Sequence, residues 1–464
     1  MTIWVPDLST SPLPTYLALT EAIGDAIRRG RLRPGDPLPT HRLLADLLGV
    51  NVSTITRAYG EAARRRLVTG EVGRGTYVLG VASEAALFAL RQQPEGGVID
   101  LSLNRPPPGQ RDSDLTTFLE RLDAVEAARL LHYPDPGDRL AHQRAACGWL
   151  RRRGLEVEPE SVVVCAGAQH AVDTAIGLFP EHEDIACEAL AYPGLKAAAR
   201  RWQRKLHPMA LDREGLRPEA FEAACRSGLR FAIVSPTLHN PTTATLGLER
   251  RRQIVAIARA WDVLLVEEDV YGLLKEEAPP PLAALAPERV IYLTGLSKTV
   301  APGLRIGYLS FPPEWRDRLR EAEHHTAWWV STLTLAMATQ WLSDGTAWKR
   351  LQAQRRELAA RHKLCVKHLG RLQWRGEAHC PHLWLPAPPE GSQAFAQRAQ
   401  AAGVVVVPSS VLTTSRAKTE DGIRISVGSP PDRATLVEGL NRLARLVPDF
   451  SDRGRHQRMK GEAS

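Results

Sequence analysis

The chain has 464 residues, of which 44% are hydrophobic and 24% are charged, and its formal net charge is +8. This length predicts a globular protein with two or three hydrophobic cores. The apolar runs are shorter than the roughly 20 residues that a membrane span needs. The N-terminus has no export signal, so we expect a cytoplasmic protein without a membrane partner.

The six cysteines lie singly along the chain, without the paired spacing of a disulfide framework or a zinc site. Potential metal ligands crowd together only at His379, Cys380 and His382, and no second cluster completes a tetrahedral set. We therefore expect no metal. The alternation in residues 382–386 instead predicts a strand that enters a small C-terminal domain.

The chain begins with two predicted helices. Apolar residues recur at helical spacing from about residue 15 to residue 29, which predicts an amphipathic helix. Thr40 is placed to cap a short second helix, and Gly49 can end it in a left-handed conformation. The apolar residues of this second helix are Leu43, Leu44, Leu47 and Leu48.

A third helix is predicted to follow almost directly, from about Asn51. Its inward-facing residues are expected to be Val52, Ile55, Tyr59 and Ala62. The opposite face is polar and suits close approach to a groove; it contains Ser53, Thr54, Thr56 and Arg57. Two helices joined by so short a turn predict a helix-turn-helix, whose second helix enters the major groove of DNA.

Two short strands are predicted next, over residues 67–69 and 76–78. They can pair around Gly73, Arg74 and Gly75 and form a β-wing with a basic tip. Residues 12–80 contain ten arginines against six acidic residues. This charge suits a polyanionic partner, whereas the alternative is that the arginines are solvated or pair with surface glutamates.

The order of these features resembles the winged helix-turn-helix of the GntR family. The resemblance is carried by residues 35–45, 48–51, 58–59 and 73–78. It implies that residues 12–80 bind a double-stranded DNA operator, and it leaves open whether Arg42 and Arg57 touch phosphates or base edges. The residues expected at the DNA are Thr40, Arg42, Ser53, Thr54, Thr56, Arg57, Gly73, Arg74 and Gly75.

A change of composition marks residues 81–98 as a linker, and the rest of the chain predicts an α/β domain over residues 99–447. Apolar strands separated by helices are typical of a mostly parallel sheet covered on both faces. These strands are expected at residues 161–164, 231–234, 263–266 and 290–293. A small α+β subdomain is expected over about residues 350–447, and the basic residues 448–464 predict a disordered tail.

Polar residues follow each of these strands, at the edge where such sheets bind ligands. The glycine in residues 165–170 permits a turn into a helix N-terminus, which can hold a phosphate. The segments at residues 235–242, 267–271 and 294–298 supply an amide, acids, a tyrosine and a lysine. Pyridoxal phosphate (PLP) needs these groups: a lysine, an acid for its pyridine nitrogen, donors to its ring oxygen and a phosphate cradle.

This ordered set resembles the fold-type I aminotransferases of class I. With the N-terminal module, the chain resembles the MocR-type regulators from Pro12 to about Val447. The resemblance implies that Lys298 forms the Schiff base with PLP, and that Asn240 and Tyr271 bind the ring oxygen.

The same resemblance implies the other members of the site. The phosphate is expected at Gly167, Ala168, Gln169, Ser297 and Arg305. Tyr192 is expected to stack on the ring, and Arg424 to bind a substrate carboxylate. Tyr133 is expected to reach the cofactor of the partner subunit in a homodimer.

The sequence departs from the family at the acid. The family commonly has Asp three residues before the tyrosine that matches Tyr271, whereas this chain has Glu268 there and Asp269 one position later. Either carboxylate can face the pyridine nitrogen. Gly295 replaces a common hydroxyl residue and Thr243 a common glycine, and such changes impair turnover more than cofactor binding.

These features favour a homodimeric, nucleoid-associated transcriptional regulator that senses an amine or amino acid through the Schiff base at Lys298. The main alternative is a working PLP-dependent aminotransferase with an accessory DNA-binding module. A third possibility is a DNA-binding protein whose large domain binds no cofactor, and the intact Lys298, Asn240, Tyr271 and Arg305 disfavour it.

Overall fold

The computed structural model describes the chain in two compact units, Met1–Gln93 and Pro94–Ser464. The wing residues Gly73 and Arg74, residues 81–96 of the predicted linker and the predicted tail lie outside the described residues. The described residues are 4–8, 13–28, 31–32, 36–65, 67–71, 75–78, 97–108, 113–180, 183–315, 317–318, 321, 329–370, 372–414 and 419–447.

Among its described residues, the N-terminal unit contains three helices and a two-stranded antiparallel sheet. These elements are α1 (Thr15–Arg28), α2 (His41–Leu48), α3 (Val52–Arg64), β1 (Val68–Glu71) and β2 (Gly75–Val78). Thr40 Oγ1 accepts a hydrogen bond from the backbone N–H of Leu43 at 3.4 Å, and Gly49 ends α2 at φ 65°. Both ends of α2 therefore have the caps that the sequence predicts.

The core of this unit lies between α1 and α3, where Leu19, Ile23 and Ile55 are completely buried. Val52, which was predicted to face inward, is 43% exposed, and two apolar residues of α2 are exposed as well, Leu43 by 39% and Leu47 by 48%. The eight-residue α2 has one narrow buried stripe, centred on Leu44 and Ala45. Val52 is the first residue of α3 and lies one turn before the packed stripe begins at Ile55.

The large unit alternates strands and helices along most of its length. Its strands are β3 (Ile99–Asp100), β4 (Val162–Cys165), β5 (Ile185–Glu188), β6 (Leu206–Met209), β7 (Leu211–Asp212), β8 (Gly215–Leu216), β9 (Phe231–Val234), β10 (Leu264–Glu268), β11 (Val290–Gly295), β12 (Gly307–Ser310), β13 (His382–Pro386), β14 (Val404–Val405), β15 (Val407–Pro408) and β16 (Gly422–Ser426). The four predicted strands agree with β4, β9, β10 and β11 to within two residues at each end.

The helices between these strands are α4 (Ser113–Glu120), α5 (Ala124–Arg129), α6 (Pro136–Arg151), α7 (Ala168–Gly177), α8 (Pro193–Arg201), α9 (Pro218–Arg226), α10 (Leu248–Ala260), α11 (Leu282–Leu285), α12 (Thr332–Ser343), α13 (Thr346–Leu369), α14 (Ser392–Ala401), α15 (Ser409–Leu412) and α16 (Arg433–Leu446). Short 3-10 turns lie at Pro159–Ser161, Gly272–Leu274, Pro302–Leu304 and Pro313–Trp315. Within the described ranges, no helix has the length and apolar content that crossing a membrane requires.

The central sheet of the large unit has seven strands in the order β4-β12-β11-β10-β9-β5-β6. β12 is antiparallel to β11 and β4, and the other pairs are parallel. β4, β5, β9 and β11 are buried along their full length. The predicted α/β fold with a mostly parallel sheet is confirmed.

A second, antiparallel sheet has the order β13-β16-β15 and lies in the C-terminal part of the unit. β14 pairs in parallel with β3, so the beginning of the large unit joins a strand near its end. Two strands of two residues each have no periodicity to detect, and the sequence did not predict this pairing. It brings the segment after β3 to the ligand-binding edge of the central sheet.

Candidate cofactor site and nucleic-acid interface

The candidate cofactor site lies at the carboxyl ends of β4, β9, β10 and β11. Parallel strands end at the same edge of a sheet, so the loops that follow them converge. Ser235 follows β9, Glu268 ends β10, and Lys298 follows β11. The site therefore combines residues that are far apart in the sequence.

Lys298 is partly buried, and its Nζ donates to the backbone carbonyl of Asn104. Burial lowers the pKa of Lys298 to about 8, and the positive charges of Arg424 and Arg305 act in the same direction. A larger fraction of this amine is uncharged at neutral pH than in an ordinary lysine. An uncharged amine is the nucleophilic form, which suits attack on a carbonyl carbon.

The two acids next to each other at the end of β10 have different surroundings. Glu268 Oε2 accepts from Ser235 Oγ at 3.1 Å, and its charge acts on Lys298. Asp269 is 1% exposed, and its Oδ2 accepts from Arg153 Nε at 2.7 Å and from the Tyr292 hydroxyl at 2.9 Å. The carboxylate on the side of Lys298 is thus that of Glu268, because the Asp269 carboxylate is held by Arg153 and Tyr292.

Ser235 also connects Glu268 to a third carboxyl group. Its backbone N–H lies 3.1 and 3.0 Å from the two oxygens of Glu188, which is 3% exposed. Burial and, to a smaller extent, the charge of Glu268 raise the pKa of Glu188 to about 8. Burial raises the pKa of Glu268 as well, while the Ser235 hydroxyl and Lys298 oppose that shift.

An anion cradle is formed where β4 leads into α7. Gly167 has φ 86°, and α7 begins at the next residue. The first backbone N–H groups of a helix have no carbonyl partner within the helix. Glycine is favoured here by this positive φ, and a Cβ atom at Gly167 would lie 2.6 Å from Nη2 of Arg305, whose side chain would have to move. Arg305 Nη1 donates to Ser297 Oγ at 3.3 Å. A helix N-terminus beside a guanidinium and a hydroxyl is suited to phosphate.

The guanidinium of Arg424 reaches the site from β16 and is 4% exposed. Its Nη1 donates to Asn240 Oδ1 at 2.8 Å, and its Nη2 donates to the backbone oxygen of Ser102 at 2.5 Å. With its oxygen held by Arg424, the Asn240 amide keeps its N–H groups for the site. The antiparallel C-terminal sheet thus contributes a buried cation to an edge built by the central sheet.

Tyr271 is part of a polar network that the sequence did not reveal. The amide nitrogen of Asn104 lies 3.1 Å from the Tyr271 hydroxyl and 3.1 Å from Nδ1 of His382, which is completely buried. Ser426 Oγ donates to Asn104 Oδ1 at 2.6 Å. Asn104 follows β3 by four residues in a stretch without periodicity. The polar Ser426, at the end of the strand that carries Arg424, was a weak sequence signal.

The other predicted cofactor residues have separate positions. Tyr192 precedes α8, and burial raises its pKa to about 12. Gln169 Nε2 donates to the backbone oxygen of Gly194 at 3.1 Å, which joins the beginnings of α7 and α8. Tyr133 is 74% exposed, between α5 and α6.

The predicted nucleic-acid interface lies on α2 and α3 of the N-terminal unit. Arg42, Ser53, Thr56 and Arg57 are exposed, and Thr54 is partly buried. The Arg57 guanidinium stacks 3.9 Å above the centre of the Tyr16 ring, an arrangement that holds its long side chain in place.

The remaining polar residues of this face are engaged locally. Thr56 Oγ1 lies 3.2 Å from Nδ1 of His41 and donates to the Val52 carbonyl at 3.0 Å. Thr40 serves as the α2 cap, and Gly75 begins β2. Exposed arginines beside short, fixed polar residues suit contact with a phosphate backbone.

Metal ligation has no candidate cluster in the described part of the chain, where no three His, Cys, Asp or Glu side chains could hold an ion together. The six cysteines are buried free thiols. Residues 382–386 form β13, as the alternation in the sequence predicted.

Comparisons with known proteins divide the chain at the same place as the two units. The family model "Aminotransferase class I and II" matches residues 96–443, and the model "Bacterial regulatory proteins, gntR family" matches residues 15–78. The HTH-type transcriptional regulator YdeF of Bacillus subtilis is 27% identical over 451 residues, which cover 97% of each chain. The probable rhizopine catabolism regulatory protein MocR of Rhizobium meliloti is 27% identical over 77% of this chain and 78% of its own.

A solved structure with the fold of the large unit is LysN, the α-aminoadipate aminotransferase of Thermus thermophilus. It aligns with a TM-score of 0.69 at 22% identity and covers 78% of this chain and 96% of its own. At this identity the likeness concerns the fold.

Proposed function

We propose that this chain, which belongs to the aminotransferase class I and II family and carries the DNA-binding domain of the gntR regulators, controls transcription by sensing an amine or amino acid at Lys298. The observation that carries this proposal is one site that combines a lysine of lowered pKa, an anion cradle and a buried arginine. The DNA-binding unit of the same chain converts binding of the ligand into a change of operator affinity. Such a ligand acts by binding two arrangements of the protein with different affinities.

Pyridoxal phosphate is the cofactor of this domain, and the residues present fit it. Gly167, the first N–H groups of α7, Ser297 and Arg305 would hold the phosphate. Asn240 and Tyr271 would donate to the ring oxygen, and Glu268 would face the pyridine nitrogen. When bound, PLP supplies a carbonyl group that reacts with amines and a ring that withdraws electrons.

The side chains of this chain have distinct tasks in ligand binding. Lys298 presents an amine that loses its proton more readily than an ordinary lysine, because burial and two arginines disfavour its protonation. Glu268 lies on the same side and accepts a hydrogen bond from the Ser235 hydroxyl. Arg424, held by Asn240 and Ser102, offers a buried guanidinium to a carboxylate of the effector. These groups favour an amino acid over a simple amine.

The experiment that tests this proposal is absorbance spectroscopy of the full-length protein with PLP, before and after addition of single amino acids, beside a Lys298→Ala variant. We expect a band that requires Lys298 and shifts with the effector, accompanied by a change in operator affinity. A band that the effector does not change, or one that persists in Lys298→Ala, contradicts sensing at this site.

A working aminotransferase is the second candidate function, and the complete set of polar groups in the site favours it. The same samples distinguish the two functions. Keto-acid release in proportion to the amino acid consumed supports the enzyme. A spectral shift without keto acid, coupled to DNA affinity, supports the sensor.

We further propose that the chain is a homodimer in the cytoplasm that binds its operator with two DNA-binding units. Supporting this, exposed apolar residues gather over one stretch of the large unit: Leu115, Leu119, Val125, Leu131 and Tyr133. An exposed apolar group of this kind is typical of a protein interface. Tyr133, within this stretch, is placed for contact with a partner subunit.

Sedimentation of full-length variants tests the dimer. Leu131, 87% exposed, is changed to Glu, and Val366, 51% exposed on α13, is changed to Glu as the matched control. We expect Leu131→Glu to sediment as a monomer and Val366→Glu to keep the dimer mass. A dimeric Leu131→Glu protein contradicts an interface at this stretch.

A further inference from the structure

The Asn104 side chain joins three elements at the cofactor site. Its amide nitrogen contacts Tyr271 and His382, its oxygen accepts from Ser426, and its backbone oxygen accepts from Lys298. We propose that Asn104 is a positioning residue that fixes the Tyr271 hydroxyl as a hydrogen-bond donor toward the ring oxygen of PLP. This inference rests on the proposed binding of PLP at Lys298.

The direction of each hydrogen bond follows from the partners of His382. Its Nε2 lies 3.2 Å from the backbone oxygen of His239, which can only accept, so Nε2 carries the hydrogen. The ring is completely buried beside Arg424, and it is neutral. Nδ1 of His382 is therefore a bare acceptor, and it must receive an N–H from Asn104.

Hydrogen bonds at Oδ1 and at Nδ2 together fix the orientation of the Asn104 amide. Ser426 Oγ donates to Oδ1, which leaves Nδ2 as the donor end. One Nδ2 hydrogen points to His382 Nδ1 and the second to the Tyr271 oxygen, each over 3.1 Å. Because the Tyr271 oxygen receives this hydrogen, its own hydrogen is directed away from Asn104.

Tyr271 then has one orientation for its hydroxyl hydrogen, toward the site. The residue is 5% exposed, and burial disfavours its ionised form, so it acts as a neutral donor. A fixed donor costs no reorganisation when negative charge develops on the group that it faces. Without Asn104, the Tyr271 oxygen receives no N–H on this side, and the direction of its own hydrogen is no longer fixed.

The charges that face Lys298 come from several elements. Arg424 on β16, Arg305 after the 3-10 turn Pro302–Leu304, and Arg105 next to Asn104 lower its pKa, and Glu268 on β10 raises it. Replacing Asn104 by an uncharged residue leaves all four charges in place. A change in the titration of the bound chromophore then reports the hydrogen bond.

The experiment measures the pH midpoint of the absorbance change of the PLP-loaded, full-length protein. A hydroxyl that donates to the ring oxygen stabilises negative charge there and favours the deprotonated chromophore. We expect Asn104→Leu to raise the midpoint by about one pH unit, the size of a single lost hydrogen bond to a charged group. Asn104→Ala has the same expected shift and avoids the branched side chain if Asn104→Leu loads poorly.

The same substitution in a Tyr271→Phe background distinguishes action through Tyr271 from a general effect. We expect Tyr271→Phe to raise the midpoint and Asn104→Leu to add nothing to it. Asn441→Leu is the matched control, because Asn441 Oδ1 also pairs with a histidine, His368, at 2.8 Å in a partly buried position of the same unit. Its midpoint should equal that of the unaltered protein.

The results that would overturn the role of Asn104 differ from the result that would overturn PLP binding. An unchanged midpoint in Asn104→Leu and Asn104→Ala, or an equal shift with and without the Tyr271 hydroxyl, overturns the role of Asn104. The absence of any Lys298-dependent band in the unaltered protein overturns PLP binding at this lysine instead.

Discussion

Arg153 Nε lies 2.7 Å from Asp269 Oδ2, and the two side chains are 4% and 0% exposed. This ion pair lies next to a second buried pair, Arg251 and Glu267, which are 3.5 Å apart and fully buried. The Arg251 guanidinium also donates to the backbone oxygens of Pro236 and Leu246, at the two ends of the loop that carries Asn240. The two buried ion pairs thus hold the loop that carries Asn240 in place. The pairing with Arg153 also keeps the Asp269 carboxylate away from Lys298.

Removal of Arg153 is expected to destabilise the large unit. Arg153→Met leaves the Asp269 carboxylate buried with one hydroxyl partner, and breaking a buried pair in this way costs about 3 to 5 kcal/mol. Urea unfolding followed by tryptophan fluorescence measures the loss. Arg151→Met is the control, because Arg151 pairs with Glu156 on the surface at 62% exposure, and we expect a change below about 1 kcal/mol.

Glu268, rather than Asp269, is expected to govern the reactivity of bound PLP. Glu268→Gln removes the carboxylate beside Lys298, so the reaction of the loaded protein with an amino acid should slow by about a hundredfold. Asp269→Asn should change this rate by only a few-fold while lowering the unfolding midpoint. Stopped-flow absorbance measures the rates. A larger rate loss in Asp269→Asn would reverse the assignment.

The capture of PLP by the cofactor-free protein is expected to depend on pH through Lys298. Burial and the neighbouring arginines lower the pKa of this amine from 10.5 to about 8, and only the uncharged amine attacks the cofactor. The rate of capture should rise with pH and level off above about 8. Arg424→Leu removes one positive charge and should move the plateau to higher pH. A plateau near the pKa of ordinary lysine contradicts the burial of Lys298.

Arg42 is expected to contribute one phosphate or base contact to operator binding. Arg42→Ala should weaken binding by about tenfold and reduce the salt dependence of the affinity by about one counterion. Arg64→Ala removes the same charge from the far end of α3, where Arg64 pairs with Glu61, and should have the smaller effect. Fluorescence anisotropy over a salt series measures both variants. Equal losses would indicate general electrostatic attraction.

Thr243 has a backbone conformation that favours glycine. Its φ is 67°, in the left-handed region, where a β-branched residue is strained by about 1 to 2 kcal/mol. Thr243→Gly is therefore expected to raise the free energy of unfolding by about 1 kcal/mol after the entropy cost of glycine. Thr242→Gly should have the opposite effect, because Thr242 Oγ1 lies 2.7 Å from His239 Nδ1. Thermal unfolding of both variants measures the signs.

The sequence determined the local structure and the inventory of chemical groups. Periodicity located α1, the caps Thr40 and Gly49 fixed α2, and apolar runs located β4, β9, β10 and β11. These signals are local, because helix spacing, caps and strand runs depend on neighbours along the chain. The alternation of apolar strands and helices predicted the fold, and the order of polar groups after those strands carried the family resemblance that implied the cofactor.

The tertiary structure decided what depends on contacts between distant segments. It assigned Glu268 to the side of Lys298 by pairing Asp269 with Arg153, a residue 116 positions away. It brought Asn104 to Tyr271 across 167 positions through the pairing of β3 with β14. It also exposed Val52, which pattern alone had placed inward. Packing partners and the direction of a hydrogen bond are properties of the folded chain, and no spacing along the sequence encodes them.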